Sequence, residues 1–274
     1  MVRVKQGLAI ACLILALPGF TAAAQAQERL RLATTTSVQD SGLMPFLLKD
    51  FERLCSCKVD VIAVGSGQAL KLAFNGDVDM VLVHDPPAEQ NFIREGFGIN
   101  RQTFMVNDFV ILGPASDPAR VLGVKDASVA LSKIANTGSV FVSRGDASGT
   151  HKKELELWEK ARVKPSGPWY LEVGQGMGAV LTMAEEKNGY TIADRATYLS
   201  RIRQLKLKAL VEGDPVLTNY YSAIQVNPAR FPSAKSALSR RFIGWLCSSE
   251  GQRLIGSYRV NGHRLFKPAY AGGK

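Results

Sequence analysis

Short apolar runs alternate along this chain with stretches whose apolar residues recur every three or four positions. Runs rich in β-branched and aliphatic residues predict strands at Arg29–Ala33, Val59–Val64, Val78–Val83, Phe104–Leu112, Ser139–Val142, Tyr190–Ala193, Leu207–Val211 and Tyr220–Val226. The 3.6-residue period predicts helices at Leu43–Leu54, Ala69–Phe74, Val129–Ile134, Lys152–Ala161 and Gly178–Lys187, with Ser236–Cys247 and Glu250–Ser257 closing the chain. Apolar strands separated by helices predict an α/β protein with a mainly parallel sheet and helices on both faces.

The order of elements divides the chain further. A strand ending at Gly113-Pro114 closes a first βα series, and a second series follows. The segment Tyr220–Val226 then returns as a second extended crossing. This predicts one lobe from residues 28–112 plus 219–274 and another from 113–218, joined by a two-strand hinge. Low-complexity linkers and internal repeats are absent from the sequence.

Residues 1–26 carry an export signal. Arg3 and Lys5 precede the apolar run Leu8–Leu17, and Ala24-Gln25-Ala26 supplies the small residues of a cleavage site near Ala26. That run is short for a membrane span. Cys12 lies inside it rather than after it, which argues against lipid attachment. Removing this segment takes two cations from a formal net charge of +10, so the mature chain stays basic. The basic residues are scattered apart from Arg201, Arg203, Lys206 and Lys208, read as a solvated face without interleaved aromatics; nucleic-acid binding is therefore not expected. Cys55, Cys57 and Cys247 remain, an odd number in a compartment that permits disulfides. A Cys55–Cys57 bridge would close a very tight loop, so Cys247 is the expected partner of one of them. His84, His151 and His263 show no metal-ligand spacing with these cysteines, and no metal or cofactor is expected.

Candidate chemistry lies where predicted strands end. Thr34-Thr35-Thr36-Ser37 follows the first, Gly65-Ser66-Gly67 the second, and Ser143-Arg144-Gly145-Asp146-Ala147-Ser148-Gly149-Thr150 the strand Val140-Phe141-Val142. Open α/β sheets bind ligands at the carboxyl ends of their strands, and helix N-termini there present free N–H groups to anions. Each hydroxyl cluster is by itself a common helix cap. Three together, with the planar donors of Arg144 in one, point to a small oxyanion. Asp146 is close enough to orient that guanidinium. Gly174-Gln175-Gly176-Met177-Gly178 has GxGxG spacing rather than that of a dinucleotide site, so Gly176 is read as a tight turn and backbone donor. Asp194-Arg195 is a local ion pair or part of the cleft wall. Ser148 and His151, with Asp146 nearby, keep open a second reading as an exported serine hydrolase using Ser148, although GxSxG and HExxH motifs are absent from the sequence.

At these residues a family resemblance enters. Ala33–Ser37, Val64-Gly65-Ser66-Gly67-Gln68-Ala69-Leu70, Ser143–His151, Gly174–Ala179 and Tyr190–Leu199 resemble the tungstate-binding proteins of the Tup-type ABC transporters, over about Leu32 to Leu254. The resemblance implies a periplasmic, two-lobe binding-protein fold with mixed sheets and flanking helices. It implies a non-enzymatic monomer that captures tungstate or molybdate and delivers it to an ABC permease. The Arg144…Asp146…Ser148-Gly149-Thr150 spacing is also similar to that of the phosphate-binding proteins of the same superfamily. By that likeness Arg144, Ser148, Gly149 and Thr150 hold the ligand and Asp146 orients Arg144, while Gly176 keeps the supporting role read from its own turn. Thr35, Thr36, Ser37 and Ser66 match the donors of the opposite lobe, and which of Thr34, Thr35 and Thr36 faces inward is left open.

Asp85 keeps phosphate in view, because phosphate binders place an acceptor for the phosphate proton at this strand end; a phosphate or sulfate carrier is thus a further reading. Tungstate carries no proton at neutral pH, so a buried carboxylate facing it would be repelled. Asp85 is read instead as stabilising the turn before Pro86-Pro87 or bonding to the neighbouring lobe.

Overall fold

The computed structural model describes residues 27–146 and 148–270; the expected export signal lies outside them. The chain opens with β1 (Arg29–Thr35), the short helix α1 (Thr36–Asp40), α2 (Leu43–Cys55), β2 (Lys58–Val64), α3 (Ser66–Asn75) and β3 (Met80–Val83). Helix α4 (Pro86–Arg94) leads into the long strand β4 (Gly98–Gly113). Then come α5 (Ala127–Asn136), β5 (Phe141–Ser143), α6 (Gly149–Lys160), β6 (Tyr170–Glu172), α7 (Met177–Glu186), β7 (Thr191–Asp194), α8 (Arg195–Arg201) and β8 (Lys208–Val211). Strand β9 (Thr218–Val226) returns the chain to α9 (Ser236–Leu246), α10 (Ser249–Ser257) and the short strands β10 (Arg259–Val260), β11 (His263–Arg264) and β12 (Lys267–Pro268).

The α/β class holds, but the sheet is mixed rather than mainly parallel. Strand β1 pairs in parallel with β2 and β3, and β5 with β6. Strand β9 runs antiparallel to both β3 and β4, and β12 covers β4 from the other side. The reason is the return of the chain: β9 comes back along β4, so the sequence series of βα units does not continue into the sheet. Strand β4 is shared. Gly98–Asp108 pairs with β9, while Phe109–Gly113 pairs antiparallel with β7 and β8. The β4–β9 ladder thus links the β1–β3 region to the β7–β8 region within one sheet.

Strand alternation sends neighbouring side chains to different cores. Leu30 and Leu32 of β1 and Met80 and Leu82 of β3 pack with Leu47 and Phe51 of α2 and Phe242 of α9. Ala33, Val81 and Val83 face the other way, onto Ala69 and Ala73 of α3 and Phe92 of α4. Beyond the crossing, Phe109 and Ile111 pack with Phe141, Trp158, Tyr190 and Ile192. Each fully buried Leu or Phe contributes about 1.5–3 kcal/mol, so both faces of these central strands are strongly specified.

Three sequence expectations are corrected. Pro86-Pro87 does not mark a turn alone but starts α4, with Asp85 as its N-cap; a proline in the first turn loses no helical hydrogen bond. The disulfide joins Cys55 to Cys57, and Cys247 is free. Ser56, which caps α2 in the left-handed region at φ 53°, turns the chain so that the two Cα atoms lie 5.1 Å apart, within normal disulfide reach. Arg201 is also not simply solvated, since its Nη1 donates to the Gly178 carbonyl at 2.7 Å.

Candidate functional site

The first donor group is set by sheet register. Thr35 pairs with Val64 at the carboxyl ends of β1 and β2, so the starts of α1 and α3 lie side by side. Neither N-cap, Thr35 or Gly65, supplies a side-chain acceptor to its helix, which leaves first-turn N–H groups for another partner. Thr34 is spent on the sheet, its hydroxyl donating to the Leu82 carbonyl at 3.2 Å. Thr35 and Ser37 share a hydroxyl–hydroxyl bond of 3.0 Å, and Thr36 is half-buried at the start of α1. Ser66 is the most telling of these hydroxyl residues. Its Oγ is buried and makes no hydrogen bond. An orphaned buried hydroxyl is costly unless something else meets it.

The second group surrounds Arg144, which follows β5 and is only 5% exposed. Asp146 accepts from its Nε at 3.1 Å and from its Nη2, and accepts the Ser148 N–H at 3.0 Å. This is a buried, braced guanidinium rather than a surface pair. Among the described residues its Nη1 makes no hydrogen bond. The loop is tied down by Ser143, whose Oγ accepts from the Gly145 N–H at 3.2 Å and donates to Glu154 at 2.8 Å. Gly145 sits at φ +59°, a conformation that favours glycine. Ser148 caps α6 by accepting the His151 N–H at 3.1 Å, with Gly149 and Thr150 opening the helix. Gly174 donates its N–H to the Arg144 carbonyl at 2.8 Å, and Gly176, two residues on, is the N-cap of α7.

The hydrolase geometry does not form. The Ser148 hydroxyl accepts a main-chain N–H, while the His151 ring turns to Ser143, with Nδ1 at 3.2 Å from its Oγ, and to Glu154 at 3.6 Å. Glu154, fully buried, also takes Trp158 Nε1 and the Tyr170 hydroxyl. Its hydrogen bond raises the His151 pKa.

The two groups approach each other where the start of α6 meets the end of β3. A Cβ on Gly149 would lie 2.8 Å from Cε1 of His84, so the start of α6 rests directly on that ring. The charge of Arg144 reaches Asp40 of α1, His84 and Asp194. Asp85 accepts the Ala88 N–H at 3.3 Å, as the cap of α4, and pairs with Lys152 of α6.

Sequence reading missed the polar network behind this contact. Asn107 of β4 and Asn219 of β9 are directly opposite in the ladder, and Asn219 Nδ2 donates to Asn107 Oδ1 at 2.8 Å and to the Tyr221 hydroxyl at 3.0 Å. Those bonds orient the Asn219 amide, so His84 Nδ1 donates to its Oδ1 at 3.0 Å. Burial lowers the His84 pKa to about 4 and raises those of Asp194 and Tyr221. The only signal in the sequence was the presence of single polar residues within apolar strands. Asp194 and Arg195 do not pair: Asp194 caps α8 through Thr197, and Arg195 bridges Asp108 and Glu212.

A cavity of about 760 Å³ lies beside this contact, between Pro86, Phe109, Gly149, Lys152, Pro215 and Tyr220. Of the predicted donors only Gly149 lines it, so it neighbours the Arg144 group rather than containing it. Among the described residues no group of three or more His, Cys, Asp or Glu side chains is placed to hold a metal, and no helix is long and apolar enough to cross a membrane.

A family described as "PBP superfamily domain" matches residues 21–250. The tungstate-binding protein TupA of Peptoclostridium acidaminophilum is 44% identical over 248 residues, 89% of this chain and 87% of that one. The crystal structure of the tungstate ABC transporter from Geobacter sulfurreducens aligns with a TM-score of 0.78 at 50% identity, covering 84% of this chain and 99% of the other. TupA from Desulfovibrio alaskensis G20 aligns at 0.77 and 45% identity, covering 89% and 99%.

Proposed function

This chain belongs to the PBP superfamily, among its tungstate-binding proteins, and on that premise we propose how it works. It is an ABC-transporter solute-binding protein that captures tungstate, or molybdate, between its lobes and hands it to a permease. The lobes are residues 28–112 plus 219–274 and residues 113–218. Segment 1–26 is removed near Ala26, and the mature protein acts as a periplasmic monomer without nucleic acid.

The observation that carries the assignment of the site is the buried, unpartnered Ser66 hydroxyl. A protein gains nothing from desolvating a donor unless a ligand meets it. Thr35, Thr36 and Ser37 join Ser66 from one lobe. Arg144, Ser148, Gly149 and Thr150 join from the other, with Asp146 bracing the guanidinium and Gly176 turning α7 toward the cleft. The ring is rich in donors, and the Asp85 carboxylate is occupied by Lys152 and the Ala88 N–H. That suits a fully deprotonated tetrahedral oxyanion better than hydrogenphosphate, which needs an acceptor. Closure removes water, so each donor acts in a lower dielectric.

Calorimetric titration of the mature protein with tungstate, molybdate, sulfate and phosphate tests this reading. Tungstate should bind tightly and phosphate weakly; heat with phosphate and none with tungstate would reject it. Arg144→Ala removes a charge-assisted donor pair and should weaken tungstate about a hundredfold. The protein acts by binding alone, so a serine-reactive phosphonate that labelled Ser148 would contradict this account.

A further inference from the structure

We infer that Asp85 and Lys152 form an interlobe latch that sets how long the captured anion stays bound. This rests on the lobe division and cleft proposed above. Asp85 belongs to the first lobe, where it caps α4, and its carboxylate is 6% exposed. Lys152 belongs to the second lobe, in the opening turn of α6, and its side chain is 45% exposed. Their ion pair joins residues 67 apart in sequence.

The latch is built on one face of one helix. His84 and Asp85 are adjacent at the end of β3, and they meet Gly149 and Lys152, which are three apart and share a face of α6. The His84 ring fills the space a side chain at position 149 would need, and Asp85 takes the ammonium one turn on. Both contacts therefore press the N-terminal turn of α6 against the first lobe. That turn carries Ser148, Gly149 and Thr150. Asp85 and Lys152 do not belong to the donor ring; they hold its two halves together. When the lobes part, Lys152 returns to water at little cost, whereas Asp85 keeps only its helix-capping bond. The pair thus weighs on the closed state and acts on departure of the ligand.

The adjacent Lys153 supplies an internal control. It pairs with Glu156 of its own helix at 2.6 Å, so that bond does not cross the lobes. Stopped-flow measurement of tungstate dissociation, with association measured separately, tests the inference. Lys152→Met should speed dissociation about tenfold with little change in association, since taking the ammonium away from the buried Asp85 carboxylate acts on the off-rate. Asp85→Asn keeps a helix cap but loses the charge, and should speed dissociation similarly. The double variant should be no faster than either single one, because one interaction has been removed twice. Lys153→Met should match the wild type. Wild-type dissociation in Lys152→Met, or additive effects in the double variant, would overturn the latch. A wild-type protein that binds no tungstate would instead reject the proposed function.

Discussion

An alanine at position 149 should weaken tungstate capture by roughly fivefold to 150-fold, the equivalent of about 1–3 kcal/mol of overpacking. The size follows from the contact between lobes. The added Cβ would sit 2.8 Å from His84 Cε1, 2.9 Å from Nδ1 and 3.0 Å from the His84 carbonyl oxygen. Comfortable carbon contacts lie near 3.5–4.0 Å, so roughly half an ångström or more must be found. His84 cannot simply swing aside. Its Nδ1 is bonded to Asn219 at 3.0 Å, its ring lies 4.8 Å from that of Tyr221, and one of the three close atoms is main chain. The start of α6 must retreat instead, carrying Ser148 and Thr150 away from the opposite donors. The strain exists only when the lobes meet. Calorimetry should therefore report a raised Kd, while the ligand-free melting temperature stays near that of the wild type. Adding His84→Ala to the same chain should recover part of the lost affinity. An unchanged Kd in Gly149→Ala, or a double variant no better than the single, would refute the packing argument.

Ser66→Ala should move two measurements in opposite directions: the ligand-free protein gains about 1 kcal/mol by losing an unsatisfied hydroxyl, and tungstate affinity falls about tenfold. Scanning calorimetry with and without tungstate checks both, and undiminished affinity would remove Ser66 from the site. His84 makes the fold acid-sensitive. Its folded pKa of about 4 lies below the usual 6.5, so the unfolded chain takes up the proton first; stability is complete above about pH 6.5 and falls as pH drops toward 4. The loss relative to a His84→Gln variant should reach about 3 kcal/mol in denaturant titrations across that range, and parallel pH profiles would refute it.

The readable parts of this protein are those in which local pattern and burial coincide. Alternation in β1 and β3 divides Leu32 from Ala33 and Leu82 from Val83, and the structure sends each pair to opposite cores. The hydroxyl and glycine clusters are visible because they interrupt apolar strands just before helices. Helix α4 was hidden because Pro86-Pro87 reads equally as a stop and as a first turn, and only the packing of Phe92 decides between them. The Cys55–Cys57 bridge was hidden because loop length alone disfavours it, while the left-handed Ser56 makes it short. Asn107 and Asn219 read separately only as polar interruptions of apolar strands; the β4–β9 register makes them a pair.

By itself the amino-acid sequence determined the alternation of strands and helices, the faces they bury, and the placing of hydroxyl and glycine clusters at strand ends. These depend on periods of two and 3.6 residues and on short-range capping chemistry, which neighbouring residues settle among themselves. Only the tertiary structure decided that β9 returns antiparallel, that His84 seats on Gly149, and that Asp85 meets Lys152. Those contacts join residues tens to more than a hundred positions apart. They follow from sheet register and from the packing of α6 against the end of β3, which are properties of the whole packed chain.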